Sequence, residues 1–124
     1  MKDNSVKDKS FQFALRVIKL YKYLCEEKRE LVISKQILRS GTSIGALVEE
    51  SLQAESKADF IHKLSIANKE ANESDYWLRL LKESGYLEDN HFDSIIADLK
   101  VIIRLLTSII ISTKKNQKEK RKPK

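Results

Sequence analysis

Residues that could bind a metal are few in this sequence, and their spacing is poor. Helical bundles bind metal pairs through Glu-x-x-His motifs on two helices together with further Glu residues. The spacing occurs at residues 88–91 and, with Asp in place of Glu, at residues 59–62. We expect His62 to point away from the core side of its helix, and Glu88 and His91 to straddle a helix start. The sequence therefore predicts neither a metal site nor any other cofactor.

The sequence also has no strong candidate for a catalytic nucleophile. Cys25 is the only cysteine, and it falls on a predicted apolar helix stripe, where cysteine more often fills space than reacts. The serines have no local partnering with either histidine. We predict that the chain is not an enzyme.

Targeting and membrane signals are absent from the sequence. The N-terminal segment MKDNSVKDKS is polar, unlike a signal peptide. The most apolar stretch, residues 101–111, contains Arg104 and is about half of the ~20 residues that a membrane span needs. A single free thiol also fits a reducing compartment. We expect a soluble, cytoplasmic protein.

Basic residues are the most informative set. The formal net charge is +6, and residues 114–124 contain seven basic residues and one acidic residue. Residues 1–39 are also basic, whereas residues 40–99 are acidic. Clusters of Lys and Arg neutralise phosphates and give salt-sensitive binding with little dependence on base sequence. The alternative of a solvated face with a solubilising tail stays open. The candidate phosphate contacts are Arg16, Lys19, Lys22, Lys28, Arg29, Lys35, Arg39, Lys114, Lys115, Lys118, Lys120, Arg121 and Lys122.

Four amphipathic segments must position these residues. Apolar residues recur at three- and four-residue steps, which predicts helices over about residues 11–28, 34–54 and 57–84 and from about residue 89 onward. Short links favour an all-α, antiparallel up-down-up-down four-helix bundle over residues 10–113. We expect residues 1–9 to be flexible and residues 114–124 to form a basic, disordered tail.

The stripes predict which residues form the core. On helix 1 the predicted stripe is Phe11, Ala14, Leu15, Ile18, Tyr21 and Cys25, with Arg16, Lys19 and Tyr23 on the opposite side. Gly41 and Gly45 inside helix 2 predict a close helix crossing, and the small residues of helix 3 are candidates for the facing surface. We interpret Trp77, next to Tyr76, as a residue that packs in an interior or an interface rather than one that stacks on a base. Helix 4 has an apolar stripe wide enough for a central position or a subunit contact.

Two segments resemble a known family. They are ISKQILRSGTSIGALVEES at residues 33–51 and KADFIHKLSIANKEANESDYWLRLLKESGYL at residues 57–87, with FALRVIKLYKYL at residues 13–24 in support. The chain is similar to bacterial four-helix-bundle proteins encoded in intervening sequences of 23S rRNA genes. This resemblance implies a ring-shaped homopentamer. It also implies kinship with accessory proteins of diversity-generating retroelements, which bind nucleic acid and a reverse transcriptase. Leu47 and Asn68 depart from the family pattern, which commonly has Asn and an apolar residue there.

Two functions follow as hypotheses. The first is a non-catalytic homo-oligomer, expected to be pentameric, that binds nucleic acid, with RNA expected, through basic surfaces. The second is a protein-interaction ring without a nucleic-acid role, for which a reverse transcriptase is one partner that the resemblance implies. Opposite charges on one chain also allow head-to-tail contacts between copies.

Overall fold

Four helices make up the described part of the chain, as the sequence predicts. The computed structural model describes residues 5–121, with side chains described to residue 119. The helices are α1 (Ser5–Glu26), α2 (Ile33–Ser51), α3 (Lys57–Glu83) and α4 (Asp89–Arg121). Consecutive helices pack against each other and α1 also packs against α4, whereas the backbones of the diagonal pairs stay farther apart, with no Cα atoms within 8 Å among the described residues. Short links between such neighbours make an antiparallel bundle, so the predicted all-α fold class is confirmed.

Helix α3 begins and ends at the residues that the sequence indicates. The Asp59 N–H donates to Ser56 Oγ at 3.0 Å, which caps the first turn. At the other end Gly85 adopts a φ of 87°, and the Tyr86 N–H donates to the Leu81 carbonyl at 2.9 Å. These bonds form the Schellman motif that Gly-Tyr predicts.

Helix α2 begins in a way that the sequence analysis missed. The Glu30 carboxylate accepts from the N–H groups of Val32, Ile33 and Ser34, at 3.2, 3.0 and 2.6 Å. It thereby takes the place of an N-cap side chain, since Val32 makes no side-chain cap bond. Burial raises the pKa of Glu30, but hydrogen bonds from the three N–H groups and from the Ser34 side chain together lower it below its ordinary value.

The core side of α1 differs from the prediction. Val17 and Leu24 are fully buried, as is nearly all of Phe13, whereas Phe11 is 57% exposed and Leu15 43% exposed. The reason is that α1 has apolar residues around most of its circumference, and two stripes overlap there. Packing against α2 and α4 selects the stripe of Val6, Phe13, Val17, Leu20 and Leu24.

The buried apolar residues of α2 and α3 have the helical spacing from which these helices are predicted. Ile37, Ile44 and Val48 are buried on α2, and Leu64 and Leu78 are buried on α3. Trp77 packs partly buried against this core, which confirms the packing interpretation.

Both predicted boundaries of the bundle need correction. Helix α1 begins at Ser5, and Val6 is buried, so residues 5–9 belong to the bundle rather than to a flexible segment. Helix α4 continues to Arg121 where a disordered tail was predicted. The last residue of α4 that packs against the apolar core is Ile110, and Thr113, one turn further on, lies beside the α2–α3 connection. Residues 1–4 and 122–124 lie outside the described part of the chain.

The glycines of α2 do mark a close helix crossing, but α1 is the partner. A Cβ added at Gly41 would lie 2.8 Å from Val17 Cγ2, and one at Gly45 would lie 3.3 Å from the Ser10 carbonyl oxygen. The atoms nearest to both added Cβ positions thus belong to α1 rather than to the small residues of α3. Ser74 of α3 instead lies 2.8 Å, Oγ to Oγ, from Ser40 of α2.

Candidate nucleic-acid interface

Two of the candidate phosphate-binding residues form ion pairs with carboxylates of this chain. Arg39 pairs with Glu70 at 3.0 Å and with Glu73, both on α3. The Trp77 indole N–H also donates to Glu73 at 2.8 Å, and this bond and then the Arg39 guanidinium lower the pKa of Glu73. Arg39 thus links α2 to α3, and its charge is largely offset.

Arg16 makes the corresponding link between α1 and α4. Its guanidinium donates to Asp98 Oδ2 at 2.7 Å and to Ser94 Oγ at 3.1 Å. The pair is partly exposed. Such a pair adds little to stability, but it fixes where the guanidinium lies.

Exposed basic residues gather at the end of the bundle where α1 meets α2. Lys22 lies in the last turns of α1, Lys28 and Arg29 lie in the connection, and Lys35 lies in the first turn of α2. Arg29 has a φ of 56°, which is uncommon for a residue with a side chain. No ion pair within residues 5–119 involves these four side chains.

A second basic group lies on the part of α4 that extends past the bundle. We call residues 114–121 the α4 extension; at 1.5 Å per residue it is about 12 Å long. Lys114, Lys115 and Lys118 are exposed on it, and none forms an ion pair within the described side chains. The side chains of Lys120 and Arg121, and all of Lys122, lie outside the described residues.

The structure therefore does not bring the candidate residues into one patch. Because α1 and α4 run in opposite directions, the end of α1 and the end of α4 lie at opposite ends of the bundle. The 27 residues of α3 correspond to a length of about 40 Å. The chain has two separate basic ends, with the acidic partners Glu70, Glu73 and Asp98 between them.

A further exposed surface on α1 is apolar. Phe11, Leu15 and Ile18 are 57%, 43% and 38% exposed and recur at four- and three-residue steps. We call these three residues the α1 face. The flanking positions Lys7 and Cys25 contact Glu49 and Ser34 of α2, so the α1 face lies on the side of α1 that borders α2.

A cleft opens along the seam between α1 and α4, the least extensive of the four helix interfaces. It measures about 290 Å³. Its lining residues define what we call the α1–α4 cleft: Arg16, Lys19, Leu20, Tyr23, Leu87, His91 and Ile95. Helix periodicity places Arg16, Lys19 and Tyr23 on one side of α1, but only the folded structure shows that His91 of α4 lies beside them.

The described residues, 5–121, contain neither a metal-binding cluster nor a membrane-spanning helix. No three His, Cys, Asp or Glu side chains in this part of the chain lie close enough together to hold a metal ion. No helix in it combines the length and the apolar content that crossing a membrane requires.

Comparisons with known proteins agree with the resemblance seen in the sequence. A family model described as "23S rRNA-intervening sequence protein" matches residues 2–108. A solved structure from Bacteroides thetaiotaomicron, a protein of unknown function from the S23 ribosomal protein family, is 57% identical with a TM-score of 0.84. The match covers 85% of this chain and 97% of that one. No curated protein matches the chain.

Proposed function

The chain belongs to the family of 23S rRNA-intervening sequence proteins, and from this premise we propose that it is a non-catalytic, cytoplasmic homo-oligomer that binds RNA through its basic ends. The observation that carries the proposal is the α4 extension. Its exposed lysines, Lys114, Lys115 and Lys118, project beyond the packed bundle and have no carboxylate partner among the described side chains.

Electrostatics favour the basic ends over the middle of the bundle. Arg16 and Arg39 already face carboxylates, so a phosphate would have to compete with an existing ion pair. The lysines of the α4 extension have no such competitor and release counterions when they meet phosphates. Lys28, Arg29 and Lys35 offer a second contact at the other end. RNA is the ligand to test first because the family description refers to 23S rRNA.

Self-association is part of the proposal because it would multiply these ends. The α1 face exposes three large apolar side chains side by side on one helix, and exposed apolar patches of this kind mark contact sites. Several copies would bring several α4 extensions together, and linked weak sites gain avidity without new contacts. The resemblance implies a ring of five.

The RNA-binding test compares two triple variants with equal charge change. In the first, Lys114, Lys115 and Lys118 become Gln. We expect its affinity for a single-stranded RNA at ~100 mM salt to fall more than tenfold, since each lost phosphate contact removes about 0.7 from the slope of log affinity against log salt. Fluorescence anisotropy with a labelled oligonucleotide measures both quantities.

The control variant replaces the exposed residues Lys69, Lys100 and Arg104 by Gln. It removes the same charge from the body of the bundle, so a loss due to net charge alone would be equal in the two variants. Equal losses, or no RNA binding by the unmodified chain, would contradict the proposal.

The second candidate function is a protein-interaction ring, and the α1 face is the observation that favours it. We expect Leu15→Gln together with Ile18→Gln to reduce the oligomer to monomers in light scattering after size exclusion. Tyr76→Gln on α3, where the side chain is 48% exposed, removes a comparable surface group and serves as the control. A wild-type chain that is monomeric at tens of micromolar would exclude self-association through this face. An oligomer without affinity for RNA would favour a protein partner, for which the resemblance implies a reverse transcriptase.

A further inference from the structure

The α1–α4 cleft combines a cationic rim with an apolar floor. Arg16 and Lys19 come from α1 and His91 comes from the first turn of α4, so two helices supply the rim. Leu20, Leu87 and Ile95 form the floor, with the Tyr23 ring beside them. The volume of about 290 Å³ is near the lower limit of small-molecule sites, roughly 300 Å³.

The two basic side chains of the rim differ in whether a carboxylate offsets their charge. Asp98 and Ser94 hold the Arg16 guanidinium in place, and the carboxylate offsets its charge. Lys19 is exposed and makes no ion pair within the described side chains. Asp98 does not line the cleft; it lies on the other side of Arg16, in a separate groove with Asp8 and Lys9. The cleft therefore has unneutralised positive charge at Lys19, whereas both terminal nitrogens of the Arg16 guanidinium already donate to Asp98 and Ser94.

We propose that the α1–α4 cleft binds one nucleotide unit, a phosphate next to a planar base. The phosphate pairs with Lys19 and accepts only those Arg16 N–H groups that Asp98 and Ser94 do not use, and the base lies on the apolar floor against the Tyr23 ring. Phosphate suits the rim because Arg presents a planar set of donors and Lys a point charge. Base–aromatic contact suits the floor because every base has an apolar face. The choice of a nucleotide over other anions with an apolar body rests on the proposed function.

Two sources share this chemistry, a free nucleotide and the terminal nucleotide of an RNA. The first experiment titrates adenosine monophosphate into the full chain and follows amide shifts by NMR, with adenosine and inorganic phosphate as comparisons. We expect shifts at the cleft residues and affinity for adenosine monophosphate at least tenfold above that of either fragment. Lys19→Gln and Tyr23→Leu should each weaken binding about tenfold. Lys69→Gln, an exposed position on α3 outside the cleft, should leave it unchanged.

The second experiment compares oligonucleotides that differ only in the 5′ end, phosphate or hydroxyl. Shifts at the cleft that require the 5′ phosphate identify the RNA end as the source, and shifts with adenosine monophosphate alone identify the free nucleotide. Either result supports the site. The proposal is overturned if neither ligand shifts the cleft residues, or if Lys19→Gln binds as well as the unmodified chain.

The experiments can distinguish failure of the nucleotide site in the cleft from failure of RNA binding by the α4 extension. A chain ending at Thr113 retains all seven cleft residues. Adenosine monophosphate should bind it as it binds the full chain, even where general RNA affinity is lost. Conversely, RNA binding that is indifferent to Lys19→Gln and to the 5′ phosphate would preserve the proposed function and remove the nucleotide site.

Discussion

Glutamate side chains are usually exposed, but Glu30 is buried, with only 8% of its surface exposed. A carboxylate is tolerated there because three backbone N–H groups at the start of α2 donate to it. It also sits next to Arg29, so it shapes the connection that presents the basic residues at that end. The stability of α2 and the presentation of Lys28, Arg29 and Lys35 are thereby linked through one side chain.

Replacing Glu30 by Gln should lower the free energy of unfolding at pH 7 by about 1–2 kcal/mol, because an N-cap acceptor is weakened. The folded-state pKa of Glu30 is depressed, so its stabilisation is present above the unfolded-state pKa, about 4.3, and is lost as pH falls through the folded-state pKa. The difference between the two chains should therefore shrink below about pH 4. Urea unfolding across this range measures it, with the exposed neighbour Glu27→Gln as the control. A difference that is independent of pH would contradict the role of the ionised carboxylate.

Asn68 has a buried side-chain oxygen without a hydrogen-bond partner among the described residues. An unsatisfied buried acceptor costs about 1–3 kcal/mol, and the resemblance implies an apolar residue at this position. Asn68→Leu should therefore raise the free energy of unfolding by about 1–2 kcal/mol. Asn72→Leu is the control, since Asn72 is exposed and its amide already donates to the Asn68 carbonyl at 2.8 Å. Destabilisation by Asn68→Leu would show that the oxygen is satisfied in the protein in solution. Leu47, the other departure, packs partly buried against the core and needs no polar partner.

At the scale of elements, the glycines of α2 allow α1 to approach α2 closely. Alanine at Gly41 gains up to about 1 kcal/mol of helix propensity, but its Cβ would lie 2.8 Å from Val17 Cγ2 and 3.0 Å from Cγ1. Val17 is fully buried and cannot turn toward solvent. We expect Gly41→Ala to destabilise the bundle by about 1–3 kcal/mol.

The mechanism is tested by a double-mutant cycle with Val17→Ala. Gly41→Ala should cost less in that background, with a coupling of at least about 0.5 kcal/mol. Gly45→Ala serves as the control pair, because its added Cβ would meet the Ser10 carbonyl rather than Val17. Additive costs for Gly41→Ala and Val17→Ala would contradict the contact.

The elements also show which structural features the sequence can and cannot predict. Ser56 and the Gly85–Tyr86 pair are local signals, and both ends of α3 follow from them. On α1, by contrast, Phe11–Leu15–Ile18 and Phe13–Val17–Leu24 are equally good stripes, and only the neighbouring helices decide between them. The capping role of Glu30 was not predicted, because Glu30 lies four residues before Ser34 and is not one of the usual Ser, Thr or Asp N-cap residues.

At the scale of the whole molecule, charge is distributed by fold as much as by sequence. The basic residues of the first two helices look continuous along the chain, yet folding places Arg16 and Arg39 against acidic residues of α4 and α3. The sequence could indicate the basic composition of the candidate site, but not that it divides into two ends separated by ion pairs. Pairings such as Arg16 with Asp98, 82 residues apart, depend on helix packing and cannot be inferred from local spacing.

The central claim is that the α4 extension is an RNA-binding element. The most direct measurement is a salt titration of RNA binding by the full chain and by a version that ends at Thr113, one turn beyond Ile110, the last residue of α4 that packs against the apolar core. We predict that truncation lowers the slope of log affinity against log salt by at least about 2 and leaves weaker, salt-dependent binding through Lys28, Arg29 and Lys35. Identical slopes and affinities for the two chains would contradict the claim.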